Sequence, residues 1–105
     1  MLRDAQLAIY DGSVIISFRH KGLKRFFETG KTSGIQAKHA KRLRIQLAAL
    51  DTAQSIEDVD LPGFRLHPLK VKQQGRWSIW VNGNWRLTFA FEDGNAQILD
   101  YEDYH

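Results

Sequence analysis

Arg76-Trp77-Ser78-Ile79-Trp80-Val81-Asn82-Gly83-Asn84-Trp85-Arg86-Leu87-Thr88-Phe89-Ala90-Phe91 alternates apolar with other residues on both sides of an Asn-Gly-Asn break, and this alternation decides the class of fold. A period of two belongs to strands that bury one face, and Gly between two Asn marks a tight reversal. If Asn82-Gly83-Asn84 is a three-residue loop, Val81 faces Trp85, Ile79 faces Leu87 and Trp77 faces Phe89, so six apolar side chains share one side. A two-residue loop would set Arg86 against Ile79. A slip of one residue moves every side chain to the other face, so the longer loop is the better reading.

The same logic extends in both directions. A two-residue turn at Asp93-Gly94 pairs Phe91 with Ala96 and Phe89 with Ile98, which continues the apolar face. Four strands are expected, at 64–70, 76–81, 85–91 and 96–101, with Trp77 and Trp85 in the core. Upstream the period changes to that of a helix. Leu23, Phe26 and Phe27 form one stripe within 20–29, and Gly30 supplies a left-handed stop. Ala40, Leu43, Leu47 and Leu50 define a second, longer helix. Residues 55–63, acidic and closing on Pro62-Gly63, read as a connecting loop. The expected architecture is α+β, an N-terminal helical hairpin packed on a four-stranded, mainly antiparallel sheet. Residues 1–15 show little periodicity and read as an N-terminal extension: a separate segment, an arm or an added edge strand.

Composition limits the function classes. A chain of 105 residues, 43% hydrophobic, buries one modest core, so a single domain is expected. No apolar run approaches the roughly 18 residues a membrane span needs, and no cleavable leader is evident, which makes the cytoplasm the expected location. The absence of Cys removes disulfides, thiolate catalysis and zinc-thiolate sites. His20, His39, His67 and His105 do not pair at helical ligand spacing, so neither a metal nor a cofactor is expected.

The net charge of +3 is unevenly spread: between Arg19 and Arg44 nine Lys and Arg face the single acid Glu28, and 65–86 contains no acid. Clustered cations displace counterions from phosphates, so a polyanion is the natural partner. Lys21, Lys24, Arg25, Lys38, Lys41, Arg42, Lys72, Arg76 and Trp80 are the candidates for RNA or ribosome binding. For any one of these cations a solvated surface is the commoner role. Trp80 has three open readings: a stacking platform, a partner contact, or cover for Arg86. His20 and His39 are assigned to the basic helices.

On the register above, Trp80, Arg86, Thr88, Leu99 and Tyr101 point away from the helices, with Arg86 across from both Trp80 and Tyr101. An arginine among aromatic rings is held in place and offers five donors to a phosphate. The first strand brings His67 and Lys70 toward this surface, and the tail brings Asp103, Tyr104 and His105. Two imidazoles form a plausible acid/base pair for cutting a phosphodiester, because an unperturbed histidine titrates at about 6.5.

Ser17-Phe18-Arg19-His20-Lys21-Gly22-Leu23-Lys24, Phe27-Glu28-Thr29-Gly30, Leu66-His67-Pro68-Leu69-Lys70, Trp77-Ser78-Ile79, Asn84-Trp85-Arg86-Leu87-Thr88-Phe89 and Tyr101-Glu102-Asp103-Tyr104-His105 together resemble the HigB toxins of the RelE/ParE superfamily. The likeness covers residues 16–105 as a single toxin domain and leaves 1–15 as an extension. It implies a ribosome-dependent endoribonuclease acting on mRNA in the 70S ribosome. It also implies a HigA-like antitoxin with a helix-turn-helix, through which alone operator DNA would be reached.

Cleaving RNA without a metal needs a base for the 2′-hydroxyl, an acid for the departing 5′-oxygen and cations for the charge that grows on phosphorus oxygens. His67 and His105 suit proton transfer, with either residue in either role. Lys70 and Arg86 are candidates for charge stabilisation. Asp103 is a candidate to orient His105 or to serve as base, and Tyr104 to stack on a nucleobase or donate its hydroxyl. The family's functional positions, carried over through its motifs, fall on the same His67, Lys70, Arg86, Asp103, Tyr104 and His105. Two other classes stay open: a non-hydrolytic gyrase inhibitor of the ParE kind, which would need no histidine pair, and an RNA- or partner-binding module that cuts nothing.

Overall fold

The computed structural model describes residues 15–70 and 75–104; the expectations for residues 1–14, Lys72 and His105 lie outside the described residues. Helix α1 (Lys21–Thr29) is followed by a 3-10 turn (Ala37–His39) that runs into α2 (Ala40–Thr52). A second 3-10 turn (Ile56–Val59) then leads to strands β1 (His67–Pro68), β2 (Arg76–Asn82), β3 (Trp85–Glu92) and β4 (Asn95–Asp103). The strands form one antiparallel sheet in the order β1-β2-β3-β4, so the α+β architecture stands. Residues 15–18 lie parallel to the free edge of β4 through bridges Ile15–Ala96 and Phe18–Leu99. No helix among the described residues is long and apolar enough to cross a membrane.

Each helix ends where its residues dictate. His20 is the N-cap of α1, its Nδ1 accepting from the Leu23 N–H at 2.9 Å, and Gly30 closes the helix at φ 83. Leu23 and Phe26 from α1, and Leu43, Leu47 and Leu50 from α2, meet Ile79, Val81, Leu87, Phe89, Ala96, Leu99 and Tyr101 from the sheet in one core. Trp77 and Trp85 pack against this core half-buried. The 55–63 connection is more ordered than a loop, because Ser55 and Asp58 form a capping box and Val59 is buried.

The first strand is shorter than expected, two residues instead of seven. Arg65 at φ 52 breaks the extended run, and Pro68 has no N–H to give to a ladder. Beyond the end of β1, the Trp80 carbonyl accepts from Gln46 Nε2 at 2.7 Å and from Arg42, which fastens α2 to β2.

The central register holds, but through a different turn. Trp77 pairs with Phe89 and Ile79 with Leu87, yet the loop has two residues, Gly83-Asn84, and a bulge at Val81 absorbs the extra one. Asn82, not Val81, therefore opposes Trp85. The Asp93-Gly94 turn forms as expected, with both residues left-handed (φ 53 and 77) and Phe91 paired with Ala96.

Past that pair the register departs from expectation: Ala90 opposes Gln97 but Thr88 opposes Asp100, so a bulge stands where Phe89 was expected to meet Ile98. Ile98 sits at φ 55, rare for a β-branched residue. Long-range bonds hold it there, since Ser17 Oγ accepts its N–H at 2.8 Å and Arg76 Nη2 donates to its carbonyl at 3.0 Å. One extra residue reverses the facing of the rest of β4. Leu99 and Tyr101, expected on the open face, are buried in the core, while Asp100, Glu102 and Tyr104 take the open face.

Tyr101 completes a buried cluster. Its hydroxyl lies 2.6 Å from His39 Nδ1 and accepts from the Gln36 N–H at 3.3 Å, while Trp85 stacks on its ring at 4.5 Å. The phenol and the imidazole thus share one short hydrogen bond inside the core, where the neutral form of His39 is favoured. Burial, with help from Lys38, holds the His39 pKa below the usual imidazole value near 6.5, and burial raises that of Tyr101. Because the unfolded chain binds this proton more tightly, the stability that neutral His39 contributes is full above about pH 6.5 and is lost as the pH falls through the lower folded value. Thermal unfolding from about pH 7.5 to about pH 5 should show a steeper fall in Tm for the native protein than for His39→Gln. Parallel curves would refute the assignment.

Candidate active site

The open face of the sheet is built in rows. Because paired residues project to the same side, His67, Ser78, Thr88 and Asp100 form one row, and Trp80, Arg86 and Glu102 form the next. Arg65, Leu66, His67, Ser78, Trp80 and Arg86 line a cleft of about 340 Å³ with two guanidiniums, one imidazole and no carboxylate. Such a lining selects an anion.

Arg86 is held at the turn, with Nη1 donating to the Gly83 and Trp85 carbonyls at 3.2 Å each. The Gly83 carbonyl also accepts from Trp80 Nε1 at 2.9 Å, so one turn oxygen fixes both side chains. Tyr101 is not part of this surface, and the expected aromatic enclosure of Arg86 on both sides is absent. The cations over Trp80 are instead Arg65, at 4.1 Å from the ring centroid, and Arg42, at 5.2 Å.

Tyr104 is tied to the β2–β3 turn, its N–H donating to the Asn84 carbonyl at 2.8 Å. Tyr104 is half-buried on the face of Glu102, Arg76 and Arg86. Burial raises the Tyr104 pKa, Glu102 and Asp100 raise it further, and Arg76 and Arg86 oppose them. The phenol is thus protonated near neutrality and serves as a hydrogen-bond donor. Asp103 pairs with Trp85 and belongs to the helix side of the sheet, across from His67 and Arg86. Lys70 is exposed beyond β1, outside the cleft lining. Of the expected set, the structure brings together His67, Arg86 and, at one end, Tyr104.

The remaining cations divide. Lys21, Lys24 and Arg25 on α1, Lys38 in the 3-10 turn and Lys41 at the start of α2 are exposed. Arg42 is half-buried, engaged with the Gly63 and Trp80 carbonyls. Arg76 is no outward cation either. Its Nη2 donates to Thr88 Oγ1 at 3.0 Å, and the Thr88 hydroxyl donates to Glu102 Oε2 at 2.6 Å. Its Nε and Nη1 are buried without a hydrogen-bond partner among the described residues. Burial lowers the Arg76 pKa and Arg19 adds repulsion, against the pull of Glu102, Asp100 and Tyr104. This relay, with Arg19 paired to Asp100 at 3.7 Å, balances the β4 half of the face and leaves the net positive charge on the β1 side. Sequence reasoning missed Glu102 and Asp100 because the bulge hides their facing, and missed Arg65 because nothing local marks its left-handed backbone.

Comparison with known proteins identifies the family. Residues 16–105 match the profile of the HigB-like toxins, described as the RelE-like toxin of type II toxin-antitoxin system HigB. Endoribonuclease HigB of Proteus vulgaris is 51% identical over 92 residues, covering 88% of this chain and 100% of that protein. Toxin HigB-1 of Vibrio cholerae serotype O1 is 35% identical over 92 residues, covering 86% of this chain and 96% of that one. A match across nearly the whole chain, on a fold whose open face gathers His67, Arg86 and Tyr104, leaves one conclusion: the chain belongs to the HigB-like family of RelE-like toxins from type II toxin–antitoxin systems.

Proposed function

We propose that this protein is the toxin of a type II pair and an endoribonuclease that cuts messenger RNA held on the ribosome, and that an antitoxin of the HigA kind neutralises it. The observation that carries the reading is the shared cleft of His67 and Arg86, free of carboxylates, at the end of the sheet where Tyr104 is anchored. The name of the Proteus vulgaris relative, an endoribonuclease, supports the same reaction.

In this reading the 2′-hydroxyl of one nucleotide loses its proton to a base and its oxygen attacks the adjacent phosphorus. The bond from phosphorus to the 5′-oxygen then breaks, and that oxygen takes a proton from an acid. His67 supplies one of the two proton transfers and His105 is the candidate for the other. The Arg86 fork binds the non-bridging oxygens as their charge grows, which suits a planar guanidinium better than an ammonium. The protonated Tyr104 hydroxyl donates to the same phosphate or to the leaving oxygen. Lys70, exposed beyond β1, acts on the substrate's flanks, and Asp103, on the helix side of the sheet, acts through His105.

The shape of the site supports ribosome dependence. An open cleft with weak acids and bases does little to hold a flexible strand, so in-line geometry has to come from a larger scaffold. Purified protein should therefore cut message on translating ribosomes and leave the same RNA, free in solution, largely whole. Rapid degradation of naked RNA would contradict this, and intact message together with impaired DNA supercoiling would favour the gyrase-inhibitor reading.

A further inference from the structure

Among the residues lining the cleft, Arg65 has no role in the reaction described above, yet its placement is the most constrained. Its backbone is left-handed, at φ 52, a conformation that a residue with a Cβ adopts against its preference and that glycine adopts freely. The neighbours impose it. Gly63 turns the chain at φ 84 with its carbonyl held by Arg42 Nη2, Phe64 is buried with its carbonyl accepting the Trp80 N–H at 2.7 Å, and His67 pairs with Ser78. Clamped on both sides, the chain delivers the exposed Arg65 side chain across the Trp80 indole, 4.1 Å from its centroid. The indole is itself fixed by its bond to Gly83.

A guanidinium stacked on a ring spends its π face and keeps its in-plane N–H donors for an anion. The ring face that Arg65 covers is not open to a nucleobase, so Trp80 acts as a plate for a cation more than as a stacking platform for RNA. Arg65 stands over the face of the Trp80 ring, and Arg86 faces Trp80 from the neighbouring strand β3. Arg86 is held from the turn instead, by the Gly83 carbonyl that also takes the indole N–H and by the Trp85 carbonyl. The two forks are thus anchored separately, one by the ring face and one by turn carbonyls.

We propose that Arg65 binds an RNA phosphate flanking the one that is cut, aimed by Trp80, and so contributes substrate affinity instead of chemistry. This rests on the cleft being the nuclease site. A strained backbone retained at an arginine is intelligible if the side chain is wanted there for binding, since glycine would fit better.

The test is single-turnover cleavage of ribosome-bound message by the native protein, Arg65→Gly and Trp80→Leu, over a range of protein and salt concentrations, with thermal unfolding of each. Arg65→Gly should need about tenfold more protein for half-maximal cleavage, and its salt dependence should weaken by about one counterion. Its maximal rate should stay within about twofold, as expected when binding is lost but the transition state is served equally well. Its Tm should not fall, because glycine accepts the left-handed backbone. Trp80→Leu should raise the half-maximal concentration by a smaller factor. An unchanged half-maximal concentration and salt slope in Arg65→Gly overturns the inference, and so does a collapse of the maximal rate at unchanged half-saturation. If the native protein leaves the message whole, the nuclease reading fails and this inference with it. Native cutting with an indifferent Arg65→Gly removes the inference alone.

Discussion

Arg86→Ala is expected to end growth arrest and to lower the rate of message cleavage by roughly 10²–10³-fold, the usual cost of removing one preorganised donor to a developing anion. Its fold should survive. Among the described residues Arg86 donates only to the carbonyls of Gly83 and Trp85 at the turn, and the Gly83 oxygen keeps its bond from Trp80. Loss of two such bonds where water replaces them costs about 1 kcal/mol or less. Arg86→Lys should restore only part of the activity, since one ammonium does not reproduce a two-pronged fork. His67→Ala and deletion of His105 are expected to silence the toxin in the same way. Cleavage rate and Tm, measured on the same samples, separate loss of chemistry from loss of fold. Soluble, folded Arg86→Ala and His67→Ala proteins that still arrest growth would remove the site from this cleft.

Gly22→Ala is expected to destabilise the protein by about 2 kcal/mol or more, although helix propensity alone argues for a gain of about 1 kcal/mol. Gly22 lies in the first turn of α1 against the loop before α2, and a Cβ there would stand 2.2 Å from the Gly34 carbonyl oxygen. The obstacle is backbone, so no rotamer change relieves it. The reciprocal Gly34→Ala would meet the Gly22 Cα at 2.5 Å and should behave alike. The loop that must yield leads to Gln36, whose N–H binds the Tyr101 hydroxyl, so the His39–Tyr101 cluster would loosen with it. In a domain of this size each kcal/mol moves Tm by about 4–8 °C, which places the expected fall near 10 °C. A Tm at or above the native value for Gly22→Ala would mean that the close approach does not constrain the chain.

The parts of the fold legible from residue order are those whose causes are local. Alternation in 76–91, Asp93-Gly94 with its two left-handed residues, Gly30 at the end of α1 and the leucine stripe of α2 each act within a few positions. Each was read correctly in type. Even the wrong loop length at 82–84 preserved the pairing of Ile79 with Leu87, because the apolar pattern sets register and the bulge at Val81 only absorbs the difference.

The site was legible to the same extent. Arg86 lies where the alternation of β3 runs unbroken and was placed on the open face by counting, whereas His67 was expected to come to this surface only as part of a longer first strand. Tyr104 takes the open face and Asp103 the helix side because of Ile98, at which no glycine announces a bulge. Its left-handed backbone depends on Ser17, 81 residues away, and on Arg76, whose own side chain folds inward to reach it. Arg65 is a second instance, made left-handed by Phe64 and Gly63 pairing with β2 and α2.

Residue order therefore settled the family, the two-layer arrangement, the strand pairing and the histidine–arginine pair, because short-range pattern and turn chemistry act before any long-range contact exists. Which carboxylates and phenols share the face with that pair, and which cation stands over Trp80, was decided only when distant segments met. A strained backbone is stable solely where partners from elsewhere in the chain hold it, and those partners leave no mark on the neighbouring residues.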